Sequence, residues 1–199
     1  MSEPLGLTPL CVDEAGWVVG VQQLRSPNCD ERPTDCDISL LVVHAISLPP
    51  GQFGGEAISQ LFMNQLDPLA HPYYVGVASL RVSAHFLIRR DGQLLQFVSC
   101  AQRAWHAGVS SFEGRGRCND FSIGVELEGA DDQPFTDAQY DALVRLTQAL
   151  RVALPLQAVC GHEHIAPGRK TDPGPHFDWM RFARAARLPN VWLRGIAQS

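Results

Sequence analysis

Ser39-Leu40-Leu41-Val42-Val43-His44 is a nearly unbroken run of aliphatic residues that ends in a histidine. The turn-forming residues Pro49-Pro50-Gly51 follow shortly after it. A short apolar run bounded by turn residues predicts a buried strand that opens into a loop. We therefore expect His44 at the end of a buried strand, at an edge where loops gather.

A β-hairpin is the clearest local feature further along the chain. Residues 82–89 alternate apolar and polar side chains, Asp91-Gly92 follows, and residues 93–98 form a second run. Asp-Gly between two such runs is typical of a tight hairpin turn. An antiparallel strand pair is therefore predicted here.

Two more extended segments contain candidate functional residues. Residues 122–129 alternate in polarity, which places Glu126 and Glu128 on the same face of a strand. Residues 156–160 form a short extended run that leads to His162.

Three segments have the spacing of helices. Apolar residues recur at helical intervals over residues 56–66, and a C-terminal helix is predicted over residues 178–187. The longest helix is predicted to begin at Thr136, which forms a capping box with Gln139, and to stop at Pro155.

The composition predicts one globular domain. The chain has 199 residues, of which 45% are hydrophobic and 19% charged, so we expect a single domain over residues 1–199 with its core at about 17–187. A formal charge of -5 argues against nucleic acid or an anionic membrane surface as the main partner. No apolar run approaches the roughly 18 residues that suggest a membrane span.

The N-terminus and the cysteines bear on the cellular compartment. Residues 1–17 include Glu3, Asp13 and Glu14 and have neither a cationic start nor an apolar stretch of signal-peptide length. The six cysteines include no CxxC pair, and we expect free, mostly buried thiols. Both observations predict a protein of the reducing cytoplasm.

His44, His162 and Asp172 are candidate ligands for a catalytic zinc ion. Two imidazoles and one carboxylate leave a coordination position open, which is the pattern of a catalytic zinc site. From the residues alone, each is better explained as a strand-end histidine or a turn-forming aspartate. His164 is an alternative to His162, because alternate residues of an extended segment face the same side.

Four longer segments carry a family resemblance: residues 41–51 (LVVHAISLPPG), 103–110 (RAWHAGVS), 118–129 (CNDFSIGVELEG) and 161–174 (GHEHIAPGRKTDPG). In sequence, order and spacing they closely resemble the 1,6-anhydro-N-acetylmuramyl-L-alanine amidases, the AmpD type of zinc N-acetylmuramoyl-L-alanine amidase. The match extends from about Trp17 to about Phe182. Several long motifs in register are far more specific than any one motif.

The resemblance implies both the fold and the site. The implied fold is α/β (α+β), with a central mixed β-sheet flanked by helices, as in the peptidoglycan recognition proteins. Position by position, it implies one Zn²⁺ held by His44, His162 and Asp172, and catalytic roles for Glu126 and Lys170. Glu126 would accept a proton from the zinc-bound water, and Lys170 would help to polarise the amide carbonyl. Without the resemblance, Glu126 is better explained as a solvated strand carboxylate and Lys170 as a loop lysine.

The implied substrate is an anhydromuropeptide, whose peptide carries several carboxylates. Guanidinium groups suit such a ligand, and Arg81 and Arg117 lie in matching stretches. Trp105 is expected to stack on the sugar or line the groove, or alternatively to pack in the core. The same resemblance implies a cytoplasmic monomer that recycles cell-wall fragments, and whose loss promotes β-lactamase induction where an inducible enzyme exists.

Two departures from the family pattern bear on affinity. The family commonly has Asn after the first ligand, where this chain has Ala45, and a small or thiol residue and then Asp after the second, where this chain has Glu163-His164. One alternative function is a non-catalytic muropeptide-binding or sensing module, which would typically lack a metal ligand. Another is an amidase that acts on intact cell wall.

Overall fold

Ten strands and four α-helices are found in residues 9–193, the part of the chain that this computed structural model describes. The strands are β1 (Gln22–Gln23), β2 (Cys29–Glu31), β3 (Leu40–Ile46), β4 (Phe86–Ile88), β5 (Leu94–Gln96), β6 (Gln102–Ala104), β7 (Ser111–Phe112), β8 (Arg115–Gly116), β9 (Ser122–Glu128) and β10 (Ala158–Gly161). The helices are α1 (Ala57–Phe62), α2 (Asp137–Ala153), α3 (His162–Ile165) and α4 (Trp179–Ala186), with 3-10 turns at Pro72–Gly76, Cys118–Asp120 and Asn190–Trp192. The domain predicted over residues 1–199 and the signal-peptide prediction over residues 1–17 extend outside the described residues.

Six of the strands form a central mixed sheet in the order β1-β5-β4-β9-β3-β10. Strand β3 pairs in parallel with β9 and β10, and β4 pairs in parallel with β9 and antiparallel with β5. Helices pack against this sheet, so the predicted fold class is confirmed. In the β3–β9 register, His44 lies opposite Glu126.

Both faces of strand β3 are covered by apolar residues. Leu41 and Val43 pack in a cluster with side chains of α2 and α4, whereas Leu40 and Val42 pack with Ile165 of α3. Helix α1 covers the half of the sheet formed by β4 and β5. A strand that is buried on both faces holds its polar side chains in fixed positions.

The predicted hairpin is confirmed, as are the helix predicted from Thr136 and the helix predicted over residues 178–187. Strands β4 and β5 are joined through a turn in which Gly92 has φ +85°. Thr136 and Gln139 form the capping box of α2, which ends ahead of Pro155. Asp178 caps the N-terminus of α4.

Three boundaries differ from the sequence-based predictions. Strand β3 continues to Ile46, because its pairing with β9 continues, so His44 lies inside the strand and not at its end. Helix α1 ends at Phe62, since Asn64 adopts φ +58°, which an α-helix does not accommodate. The chain turns into helix α3 at His162, where an extended segment was expected.

Within residues 9–193, none of the helices combines the length and the apolarity needed to cross a bilayer. All six cysteines have free thiols; Cys100, Cys118 and Cys160 are buried, and Cys11 is exposed. Burial raises the pKa of the Cys100 thiol to about 12, so it stays protonated at neutral pH.

Candidate metal centre and active site

The donor atoms of His44, His162 and Asp172 converge beside the central sheet. Nδ1 of His44 lies 3.0 Å from Nδ1 of His162, and Oδ2 of Asp172 lies 3.2 and 3.1 Å from these two nitrogens. His44 comes from β3, His162 from the first position of α3 and Asp172 from the loop after α3. Within residues 9–193, no other group of three or more His, Cys, Asp or Glu residues has its ligand atoms within 4.8 Å of one another.

The charges and spacing of these donors fit a zinc ion. Zinc with tetrahedral bonds of about 2.0–2.1 Å keeps its ligand atoms roughly 3.3 Å apart, close to the spacing seen here. Burial lowers the pKa of His44 to about 4, so its ring is neutral at pH 7. Burial alone would raise the pKa of Asp172, but the hydrogen bonds that His162 and His44 can donate from Nδ1 hold it well below its usual range. Neutral imidazoles and an ionised carboxylate are the ligand forms that a divalent metal requires.

The outward nitrogens of both histidines have partners of their own. Nε2 of His162 is 3.2 Å from the carbonyl oxygen of Ala107, and Nε2 of His44 is 2.9 Å from Nδ1 of His106. When each ring carries its proton on Nε2 instead, both Nδ1 atoms have free lone pairs on the side of Asp172, as metal ligation requires. Three electron-rich atoms at this separation repel one another unless a cation lies between them.

Glu126 adds a buried carboxylate next to this cluster. Its Oε1 is 4.0 Å from Nδ1 of His44, and its Oε2 has no hydrogen-bond partner among the described residues. Burial, followed by the charge of Asp172, raises the pKa of Glu126 well above its usual range, and the charge of Lys170 acts in the opposite direction. A buried carboxylate of this kind is suited to accept a proton.

Lys170 lies in the loop that leads from α3 to Asp172. Its backbone N–H donates to the carbonyl of Ala166 at 3.1 Å, and the residue is exposed. Its positive charge is among the influences on the pKa values of Glu126 and His44, after burial. The ammonium group is therefore within electrostatic reach of the cluster.

The three residues predicted to bind substrate occupy different environments. Arg81 is exposed and donates to the carbonyl of Ser79 at 3.2 Å. Arg117 is 74% exposed and pairs with Asp120 at 3.1 Å. Trp105 is half-buried, and its Nε1 donates to Oδ1 of Asp30 at 3.1 Å, so neither full core packing nor a free ring describes it. Their contact with substrate stays a prediction.

His164 does not share the position of His162. Because α3 is helical, the two side chains point in different directions around the helix axis. Nδ1 of His164 accepts the backbone N–H of Gly161 at 2.9 Å, and its ring packs on Trp179. The premise of an extended segment, which made His164 an alternative ligand, is therefore wrong.

His106 and Asn119 contact the site but had no role in the sequence-based interpretation. Oδ1 of Asn119 accepts the backbone N–H groups of His106 and Ala107 at 3.2 and 2.8 Å. Both residues belong to segments that carry the family resemblance. The glycine at position 124, inside an apolar strand, was the available signal, since such a glycine often marks a close approach.

The chain is similar to known amidases over most of its length. The sequence profile of the N-acetylmuramoyl-L-alanine amidase family matches residues 34–175. The 1,6-anhydro-N-acetylmuramyl-L-alanine amidase AmpD of Citrobacter freundii is 58% identical over 183 residues, which are 91% of this chain and 97% of that protein. The crystal structure of a selenomethionine AmpD derivative has a TM-score of 0.83 at 56% identity and covers 87% of this chain and 98% of that one.

A more distant similarity reaches a structure that contains a ligand. It is the complex of the N-acetylmuramyl-L-alanine amidase AmiD of E. coli with the substrate anhydro-N-acetylmuramic acid-L-Ala-D-gamma-Glu-L-Lys. The TM-score is 0.56 at 26% identity, covering 89% of this chain and 65% of that one.

Proposed function

The chain belongs to the N-acetylmuramoyl-L-alanine amidase family, a family of hydrolases, and we propose that it is a zinc-dependent amidase of anhydromuropeptides. The bond cleaved is the amide between (anhydro-)N-acetylmuramic acid and L-alanine. The observation that carries the proposal is the convergence of His44, His162 and Asp172. Beside them lies Glu126, whose Oε2 has no hydrogen-bond partner within residues 9–193.

His44, His162 and Asp172 would hold the metal. A bound zinc ion supplies Lewis acidity and brings the pKa of a bound water to near 7. Glu126 takes the proton of the attacking water at Oε2 and gives it to the amide nitrogen as the C–N bond breaks. Addition of one water thus yields the lactyl carboxyl group of muramic acid and the free amine of alanine.

Lys170 is assigned to charge stabilisation, and three further residues are assigned to substrate binding. The ammonium of Lys170 stabilises the negative charge that develops on the carbonyl oxygen during attack. The exposed guanidinium groups of Arg81 and Arg117 are available to the peptide carboxylates. Trp105, whose ring edge is fixed by Asp30, offers its remaining surface to the sugar.

The proposed setting is the recycling of cell-wall fragments in the cytoplasm, by a monomer with one zinc ion per chain. The free thiols of the six cysteines are in line with a reducing compartment. In an organism with an inducible β-lactamase, loss of the protein would let anhydromuropeptides accumulate and induce that enzyme. Cell fractionation, with detection of the native protein, tests the compartment.

Product analysis tests the reaction. The purified protein is incubated with anhydromuramyl-L-Ala-γ-D-Glu-diaminopimelate, and in parallel with intact sacculi. We expect mass spectrometry to identify anhydro-N-acetylmuramic acid and the free tripeptide, with much slower release from sacculi. Binding without cleavage would instead favour a sensing module, and faster release from sacculi would favour an enzyme of the intact wall.

A further inference from the structure

Residues 106 and 107 contact the two candidate zinc-binding histidines at Nε2, the ring nitrogen that faces away from the cluster. Nδ1 of His106 is 2.9 Å from Nε2 of His44, and the carbonyl oxygen of Ala107 is 3.2 Å from Nε2 of His162. Neither residue belongs to the cluster of possible ligands. Two consecutive residues therefore bond the outward nitrogens of both histidines.

The direction of the hydrogen bond between His106 and His44 follows from the contacts of Ser122 on the other side of the His106 ring. The hydroxyl of Ser122 lies 2.5 Å from the carbonyl oxygen of Cys118, which can only accept, so the hydroxyl donates to it. The same hydroxyl is 3.1 Å from Nε2 of His106 and is left to accept, so His106 donates from Nε2. A neutral His106 then has a lone pair at Nδ1 and accepts the Nε2 proton of His44.

The position of His106 suits it to accept a proton from His44. The residue is buried between two other imidazoles, with its ring centroid 5.0 Å from that of His44 and 5.8 Å from that of His85. Among the described residues, no carboxylate forms an ion pair with it. A zinc ion at Nδ1 of His44 leaves the proton of that ring on Nε2, and Nδ1 of His106, 2.9 Å away, is the atom placed to accept it.

Two neighbouring residues, Gly124 and Asn119, hold His106 in place. A Cβ atom on Gly124 would lie 2.6 Å from Nδ1 of His106, so the ring occupies space that any side chain at position 124 would fill. Oδ1 of Asn119 accepts the backbone N–H groups of both His106 and Ala107. The segment is therefore fixed at its side chain and at its backbone.

We propose that His106 is a positioning residue of the metal centre. It keeps the proton of His44 on Nε2, so that Nδ1 presents its lone pair to the zinc ion, as the carbonyl of Ala107 does for His162. The role of His106 rests on the zinc site of the proposed function.

The hydrogen-bond directions are tested in the unmodified protein by long-range ¹H–¹⁵N correlation spectra of its histidine side chains, recorded with and without zinc. In the zinc-loaded sample we expect His106 to carry its proton on Nε2, and Nε2 of His44 to be protonated as well. A proton on Nδ1 of His106 in the zinc-loaded sample would overturn the proposal. Because this measurement needs no variant, its result does not depend on whether a substituted protein folds.

Zinc affinity, measured by competition with a chromophoric chelator, tests the consequence for the metal. Loss of an outer partner of a metal-ligating histidine typically weakens binding about 10–100-fold, and we expect this for His106→Leu. His106→Asn restores an acceptor and should recover to within about threefold of the unmodified affinity. Melting temperatures of the metal-free variants report whether each one folds.

His85→Asn is the matched control, because His85 is also buried and contacts His106 without bonding His44. We expect it to lower the melting temperature while its zinc affinity stays within about threefold. Unmodified affinity in His106→Leu, no recovery in His106→Asn, or an equal loss in His85→Asn would each contradict the role. Failure of the unmodified protein to bind zinc would instead refute the proposed function.

Discussion

His44 and Glu126 are register partners on strands β3 and β9, with Oε1 of Glu126 4.0 Å from Nδ1 of His44. The two strands pair in parallel at the middle of the sheet, so main-chain hydrogen bonds fix the separation of a candidate metal ligand from a candidate general base. A general base must stay within reach of the water that it activates. The sheet therefore sets this distance directly, without a mobile loop.

Replacement of Glu126 should separate chemistry from metal binding. We expect Glu126→Gln to keep zinc and to lose about 10²–10⁴-fold in kcat, because an amide cannot accept the proton of the attacking water. Zinc content and steady-state rates on anhydromuramyl-tripeptide measure the two effects.

Glu128→Gln is the control for this change, since Glu128 lies on the same strand face and accepts the backbone N–H groups of Gly54 and Arg90 at 2.6 and 3.1 Å. It should lower the melting temperature and leave kcat largely unchanged. A fully active Glu126→Gln protein would remove that residue from the mechanism.

Replacement of Asp172 should act on the metal. We expect Asp172→Ala to lose most of its bound zinc after dialysis, because one of three protein ligands is gone. Asp178→Ala is the comparison, since Asp178 caps α4 and lies outside the cluster. It should lower the free energy of unfolding by about 1 kcal/mol and keep its zinc. Equal zinc content in the two variants would argue against Asp172 as a ligand.

The close packing of His106 on Gly124 predicts a steric effect. Gly124→Ala should lower the free energy of unfolding by about 1–3 kcal/mol, because the added methyl group overlaps the imidazole. Gly116→Ala, also in a strand, meets only the carbonyl oxygen of Ser110 at 3.9 Å and should have little effect. Urea unfolding of both variants measures the difference, and equal stabilities would show that the ring moves aside freely.

The ion pair of Asp30 with Arg103 predicts a pH-dependent contribution to stability. The hydrogen bond from Arg103 holds the pKa of Asp30 below its ordinary value, although burial opposes the shift. A lowered pKa in the folded state stabilises the fold above the unfolded-state pKa of about 3.9, and this stabilisation is lost as the pH falls through the folded-state value.

Urea unfolding at several pH values tests this sign with Asp30→Asn. The side chain of Asp30 is 41% exposed, so we expect a loss of no more than about 1 kcal/mol at pH 7. The difference from the unmodified protein should shrink below about pH 4. A difference that grows as the pH falls would contradict the sign. Asp67→Asn is the control, because Asp67 is exposed and its side chain accepts the backbone N–H of Leu69. It should change the free energy of unfolding little at any of these pH values.

Local sequence patterns were sufficient to predict the start of helix α2 and the turn between β4 and β5. The capping box of Thr136 and Gln139 and the Asp91-Gly92 turn are each formed by residues close in sequence, and both predictions are confirmed. The pairing of His44 with Glu126 joins distant parts of the chain, and no local pattern contains its register.

The position of His162 required the tertiary structure for a related reason. The segment after β10 is too short for periodicity to distinguish a strand from a helical turn. The backbone N–H of Glu163 donates to the carbonyl of Asp172 at 2.9 Å, and that of Ala166 donates to the carbonyl of His162 at 3.0 Å. These bonds favour the turn that directs His162 toward His44 and His164 away from it.

The most direct test of the zinc-amidase proposal is the cleavage rate of anhydromuramyl-tripeptide before and after complete removal of metal, with zinc then added back. We expect the metal-free protein to be inactive and the rate to return at one zinc ion per chain, whereas magnesium should not restore it. Melting temperatures of the same samples show that the fold is retained. Full turnover by the metal-free protein would contradict a metal-dependent mechanism at His44, His162 and Asp172.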